Sequence, residues 1–269
     1  MRIIHISDIH ACTAPDNFSA FFDKRIVGLF NYLFRRRFQH KLSYLEKCVD
    51  YILENPPDVV VCTGDLSSTS QPAEFEIVRN ILKPLSELKD MKFLCVPGNH
   101  DVYVNNSDCL DALHRTMLSL NSGEISDCDM PAVVKSGNVE FMLCNESRPT
   151  NIFLSTGKMD SATVEFAEKW VSEDKEGTLK IIIGHFPLKY KYGTGGFRHC
   201  LYGHKRVCRL LEEKKIALSL CGHIHTGYMI VDDNGYGEVC AGSLTRYGRM
   251  MEILIDESSG IFTHKVLEL

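Results

Sequence analysis

The sequence predicts a layered α/β or α+β domain, and three observations carry that expectation. Short apolar runs alternate with longer amphipathic segments along most of the chain. Several runs are continuous stretches of branched residues, such as Val59–Val61 and Ile181–Ile183, as expected of buried strands. Four of these runs end in a glycine followed by polar side chains, a pattern of sites built at strand ends. With 269 residues and no internal repeat, low-complexity tract or clear linker, the chain reads as a single domain over 1–269.

The elements follow in order. Ile3–Ile6 reads as the first strand. "RIVGLFNYLFRRRF" (25–38) reads as a helix within a helical insert at about 20–41. Ile26, Leu29, Phe30, Leu33 and Phe34 share one face, and Arg35–Arg37 sit at the C-terminal end, where the helix dipole favours cations. Ser43 and Glu46 have capping-box spacing, and Leu45, Cys48, Val49, Ile52 and Leu53 recur at helical intervals until Pro56–Pro57. A strand then leads into "CTGD", and a helix beginning near Ser70–Pro72 carries Phe75, Val78, Ile81 and Leu82. The strand of "FLCVPGNHD", a helix near Leu110–Leu120 and the strand of "VEFMLCNES" follow. Next come a helix over Ser161–Lys175 packing Trp170, a strand at Lys180–Ile183, a long loop and a helix at Arg206–Lys214. Ala217–Cys221 and several short strands complete the chain.

Composition narrows the function. A hydrophobic content of 44% with 24% charged residues is ordinary for a soluble protein. The apolar runs are too short to cross a bilayer, and the N-terminal stretch is broken by His5, Asp8 and His10 rather than shaped as a secretory leader. Eleven cysteines, an odd count without a CxxC pair, point to free thiols and a cytoplasmic setting, with Cys62, Cys95, Cys144, Cys221 and Cys240 as core filling. A net charge of −5 argues against nucleic acid as partner. His5, His40, His114 and His264 read as ordinary core or surface histidines.

The chemistry concentrates in "HISDIH", "VVVCTGD", "FLCVPGNHD", "KIIIGH" and "LSLCGHIH". Glycine at a strand end allows a sharp turn and leaves room beside the backbone. Asp8/His10 and His223/His225 are two residues apart, so in extended chain each pair points to one side. With Asp65, Asn99 and His185 they make seven candidate metal ligands. Two carboxylates, four imidazoles and one amide oxygen suit Mn, Fe or Zn better than Ca or Mg, and their number fits two metals sharing a carboxylate.

In this order, "DIH", "GD", "GNHD", "GH" and "GHIH" resemble the calcineurin-like metallophosphoesterases over Asp8 to His225. The resemblance implies two mixed β-sheets packed as a sandwich and flanked by helices. It implies two divalent ions, Mn first and Fe or Zn as alternatives. One would rest on Asp8, His10, Asp65 and His225, the other on Asp65, Asn99, His185 and His223, with Asp65 bridging. His100 would approach the leaving-group oxygen and Asp101 would orient its ring, while a metal-bridging hydroxide attacks phosphorus.

"LSSTS" after "GD" lacks the continuation typical of the protein phosphatases. The resemblance is nearer the smaller members acting on cyclic nucleotides or UDP-2,3-diacylglucosamine. The expected partner is therefore a small-molecule phosphodiester or pyrophosphate, a nucleotide or lipid-linked nucleotide. A non-catalytic scaffold and a nuclease are the alternatives. Asn99 and Arg198 are the expected substrate contacts, the latter in the basic loop after His185. A lipid-type substrate would give 25–38 a role at the site rim and a peripheral contact with the inner membrane face.

Overall fold

The computed structural model describes residues 1–14, 24–26, 39–151, 153–173, 177–190 and 196–269. Along the chain lie β1 (Arg2–Ile6), α1 (Leu42–Glu54), β2 (Val59–Cys62), α2 (Pro72–Ser86), β3 (Lys92–Cys95) and α3 (Ser107–Leu120). They are followed by β4 (Ala132–Ser136), β5 (Val139–Leu143), β6 (Gly157–Lys158), α4 (Ser161–Ser172), β7 (Leu179–Ile183) and β8 (Leu201–Tyr202). The last elements are α5 (Lys205–Glu212), β9 (Leu218–Cys221), β10 (Tyr228–Val231), β11 (Gly237–Cys240), α6 (Leu244–Tyr247), β12 (Arg249–Asp256) and β13 (Ile261–Glu268).

Two mixed sheets result, with strand orders β13-β12-β1-β2-β3 and β10-β11-β9-β7-β5-β4. In the first sheet β1, β2 and β3 run parallel, and β12 and β13 add antiparallel at one edge; in the second β5, β7, β9 and β11 run parallel, with β4 and β10 antiparallel at the two edges. Alternation along the strands sorts their side chains into layers. Ile3, Val59, Val61 and Leu94 meet Phe141, Leu143, Ile181, Ile183 and Leu220 between the sheets. Ile4, Ile6, Val60 and Phe93 face Leu45, Ile52, Phe75, Val78 and Met117 of α1, α2 and α3. On the far side Met142 and Ile182 face Ala167, Trp170 and Val207 of α4 and α5. The expected sandwich with helices on both faces is the fold observed.

Between β1 and β9 and outside 25–38 the expected strands and helices are found to within a few residues, whereas the last two strands, expected to be short, are 8 residues each, and one start signal does not hold. Helix α1 begins at Leu42, with Lys41 at its cap and no capping hydrogen bond from Ser43. The Lys41 amide is tied to the Thr245 carbonyl at 2.8 Å, so the first turn starts before Ser43 is reached. The five core cysteines are buried and free. Among the described residues no helix is long and apolar enough to cross a membrane.

Most of the expected helix at 25–38, including Leu29, Phe30, Leu33, Phe34 and Arg35–Arg37, lies outside the described residues. Its flanks pack near the strand-end rim. Arg25 is buried with its guanidinium 3.7 Å from Cys109 Sγ, and His40 Nδ1 lies 2.8 Å from Thr245 Oγ1.

Candidate metal centre

Strands β1, β2, β3, β7 and β9 end on one rim, and the residues just beyond them are the seven ligand candidates. Their loops are bonded to one another through the backbone. Asp8 N donates to Gly64 O (3.0 Å), His10 N to Asp65 O (2.8 Å) and Gly222 N to His185 O (2.9 Å).

All seven side chains converge, but not by strand alternation. Asp8, His10, Asp65, His223 and His225 have φ between 52° and 68°, in the left-handed region. Such backbone costs a non-glycine residue about 1–2 kcal/mol and clusters at functional sites. The two pairs therefore converge through repeated left-handed turns after the strands have ended, rather than from extended chain.

Two groups meet at one carboxylate. His10 Nε2 lies 3.0 Å from His225 Nε2, 3.5 Å from Asp65 Oδ2 and 3.8 Å from Asp8 Oδ1, and His225 Nε2 lies 3.4 Å from Asp8 Oδ1. On the other side His185 Nε2 lies 3.5 Å from the same Asp65 Oδ2 and 3.1 Å from Asn99 Oδ1, which is 2.8 Å from His223 Nδ1. Asp65 Oδ2 is thus equidistant from the two groups.

The surroundings set which ring nitrogens face inward. His185 Nδ1 donates to Thr63 O (2.7 Å), leaving Nε2 toward Asp65. His223 Nε2 donates to His199 O (3.1 Å), leaving Nδ1 toward Asn99. Hydrogen bonds of this kind hold metal-binding imidazoles in one tautomer.

Charge and burial show that these residues fit a cation. Asp8 Oδ1 and Asp65 Oδ2 are buried and have no hydrogen-bond donor among the described residues, a costly state for a carboxylate oxygen. Burial raises the Asp65 pKa, and the Asp8 and Asp101 carboxylates add to the rise. Burial lowers the His223 pKa well below the usual histidine range and His185 adds to it, a shift that favours the neutral imidazole a metal needs. A bound divalent ion would favour the ionised carboxylates.

Asp101 does not orient the His100 ring. Its carboxylate accepts from Gly98 N (2.9 Å), Ser67 N (2.8 Å), Leu66 N (3.2 Å) and Ser67 Oγ (3.1 Å), which join the loops after β2 and β3. The His100 ring is held instead by the Ser68 carbonyl, 2.8 Å from Nδ1, and by Tyr103 stacked at 5.3 Å. The expectation failed because adjacency in sequence does not place two side chains together. In this turn Asp101 points back under the loop.

Arg198 is also elsewhere. Its side chain is exposed beside the Phe197 ring, and it does not line the cavity of about 510 Å³ above the ligand set. That cavity is walled by Asp65, Asn99, His100, His223 and His225 together with Ser155, Tyr190, His199 and Arg246. Arg246 follows β11, which is parallel to β9 and ends on the same rim. It stands on α6 rather than directly at the strand end, so the strand-end rule that found the ligands does not reach it. His40 was also missed: its ring centroid lies 4.9 Å from that of His10.

A sandwich of two mixed sheets thus carries buried carboxylates and imidazoles at the shared rim, a set of side chains able to hold metal ions. The profile of the calcineurin-like phosphoesterases matches residues 1–227, and the chain belongs to that family, whose members use two divalent metals. It is 24% identical over 189 residues to a probable glycerophosphodiester phosphodiesterase GpdQ of Arcobacter nitrofigilis, covering 69% of this chain and 63% of the relative. It is 25% identical over 169 residues to the 3',5'-cyclic-nucleotide phosphodiesterase alr5338 of Nostoc, covering 62% and 56%. The chain thus spans less than two thirds of the length of these relatives. Its fold is similar to that of a dimetal phosphatase from Danio rerio, with TM-score 0.63 and 16% identity over 99% of this chain and 92% of the other.

Proposed function

We propose that the protein hydrolyses a phosphodiester or diphosphate bond of a small-molecule substrate with two divalent ions, manganese foremost. One observation carries the reading: Asp65 Oδ2 lies 3.5 Å from both His10 Nε2 and His185 Nε2, so one carboxylate serves two ligand groups. The phosphodiesterase names of two relatives support it.

In this reading Asp8, His10, Asp65 and His225 hold one ion, and Asp65, Asn99, His185 and His223 hold the other. When bound, such a pair acidifies water and neutralises charge on the phosphate. The residues of the chain do the rest. Nδ1–H of His100 is engaged by the Ser68 carbonyl, so proton transfer to the leaving oxygen falls to Nε2. Asp65 Oδ1 accepts from His100 N (2.7 Å), which ties the acid to the shared ligand. Both sheets supply ligands, so the chain acts as one unit.

The test is hydrolysis of bis-p-nitrophenyl phosphate by the manganese-loaded protein. Asp65→Ala should abolish it. His100→Ala should still bind manganese but lose most turnover on esters with poor leaving groups. Full activity of Asp65→Ala after metal depletion refutes the assignment.

A further inference from the structure

We propose that Arg246 forms a subsite for an anionic group beside the phosphate under attack, so that the site favours a diphosphate diester over a simple phosphodiester. The inference rests on the hydrolase reading above and names the substrate class of that same site.

Arg246 sits on α6, and the turn that carries it is fastened to both ligand loops. Ser243 Oγ donates to Asp8 O (2.8 Å), Thr245 Oγ1 to Ile9 O (2.7 Å), Leu244 N to Ser7 O (3.0 Å) and Ser243 N to His225 O (2.8 Å). The backbone of this turn is therefore fixed relative to Asp8, His10 and His225, and it carries the exposed Arg246 side chain at the rim. Arg246 lines the same cavity as Asp65, Asn99, His100, His223 and His225.

Among the described residues Arg246 has no carboxylate partner, and its guanidinium lies 5.1 Å from the Tyr247 ring centre. Arg249, three residues on, is paired with Glu268 at 2.8 Å. The Tyr247 ring face attracts the guanidinium without taking up its N–H donors as a carboxylate would. The Arg246 guanidinium offers paired N–H donors that match two phosphate oxygens. Metal ions at the ligand set would meet the charge of the phosphate under attack. A further fixed cation on the wall suits a second anionic group, and the adjoining phosphate of a diphosphate is covalently held next to the first.

The chemistry balances as hydrolysis. Water oxygen bonds to one phosphorus, the bond from that phosphorus to the bridging oxygen breaks, and its electron pair leaves on the bridging oxygen. Two phosphate monoesters result, and the protons of water go to the departing phosphate or to solvent. Arg246 stabilises the departing phosphate as its charge grows.

The experiment compares two probes on the full-length manganese-loaded protein: bis-p-nitrophenyl phosphate, and a P1,P2-dinucleoside diphosphate followed by chromatography of the nucleoside monophosphate. Arg246→Ala should lower kcat/KM on the diphosphate at least about tenfold more than on the monophosphate diester, the scale of one charge-assisted hydrogen bond. Arg246→Lys should recover part of that difference. Arg198→Ala, outside the cavity wall, should leave the ratio of the two probes within about twofold of wild type on the same scale. Equal losses on both probes, or no loss on the diphosphate in a variant with wild-type thermal stability, overturn the subsite. Wild-type protein that hydrolyses neither probe overturns the hydrolase reading itself, a distinct signature.

Discussion

Gly222→Ala tests whether the glycines at the strand ends exist to admit the ligands. A Cβ built on Gly222 would lie 2.0 Å from Ser7 Oγ, 2.6 Å from Asp8 Oδ2 and 3.0 Å from Ser7 Cβ. Gly222 does not have a left-handed φ, so alanine suits its backbone and the variant reports contact alone. Ser7 can give way by rotation, since its hydroxyl makes only a 3.4 Å bond to Thr63 O. Asp8 cannot do so freely. Its Oδ2 accepts from His223 N at 3.1 Å, and its Oδ1 lies 3.4 Å from His225 Nε2. Reaching ordinary contact means moving Asp8 Oδ2 by roughly 0.8 Å, and overpacking of this kind costs about 1–3 kcal/mol. That is a fall in Tm of roughly 3–10 °C for a chain of this size. Manganese affinity should drop about 10–100-fold, as when a group that orients a metal ligand is lost. Calorimetric manganese titration and thermal unfolding in chelator read the two effects separately. Adding Ser7→Ala removes the 2.0 Å contact but leaves Asp8 Oδ2 at 2.6 Å, so it should restore stability more than affinity. Unchanged affinity and Tm in Gly222→Ala would refute the argument.

Three further outcomes follow from buried groups. His5 is fully buried against Thr63 Oγ1 (3.0 Å), and burial lowers its pKa to about 3. The unfolded chain protonates it near its ordinary value of 6.5 while the folded chain does not. Its neutral form therefore stabilises the fold above pH 6.5 and this contribution is lost as pH falls toward 3. Between pH 7 and 5 the chelator-treated wild type should lose about 2 kcal/mol more than His5→Gln, read by urea unfolding, and parallel loss in both would contradict this. Glu140 accepts from Trp170 Nε1 (2.8 Å) and faces the buried Lys180 ammonium at 3.6 Å. Glu140→Ala should cost about 3 kcal/mol and change the indole emission, and an unshifted urea midpoint would argue against the ion pair. Asp101→Ala strips the acceptor from three backbone N–H groups and one hydroxyl, so it should destabilise the fold by roughly 3 kcal/mol or more. A normal Tm with an altered pH–rate profile would restore the idea that Asp101 acts on His100.

The ligand set was legible because each ligand lies within a few residues of a strand end, where sequence position alone determines location. The runs before Asp65, Asn99, His185 and His223 are predominantly apolar, and each is closed by glycine. What escaped depends on contacts between distant segments. Asp101 binds the loop after β2, and Arg246 is brought to the rim by Ser243 and Thr245 bonding to carbonyls more than 230 residues earlier. The start of α1 is set by Thr245 in the same way. No local pattern of capping or charge encodes such partners. The basic loop around Arg198 drew attention by composition, but cationic side chains in a loop carry no information about which way they point.

The reading of the histidine pairs reached the right residues by the wrong geometry, and the difference bears on how the site works. Ligands on extended strands would need only ordinary backbone. Ligands at five left-handed positions carry several kcal/mol of backbone cost in total, which something else must offset. The offset is visible without any ion: Asp8 N to Gly64 O, His10 N to Asp65 O and Ala11 N to Leu66 O continue the β1–β2 pairing beyond the strands. Gly64 and Gly98 permit this pairing to stay close, since a Cβ on Gly98 would come within 2.2 Å of Asp65 Oδ1 and one on Gly64 within 2.3 Å of Gly98 N. The carboxylates and rings are thus set by the backbone around them. Metal ions would enter a site already formed, which is the condition under which a shared carboxylate holds two of them at a fixed separation.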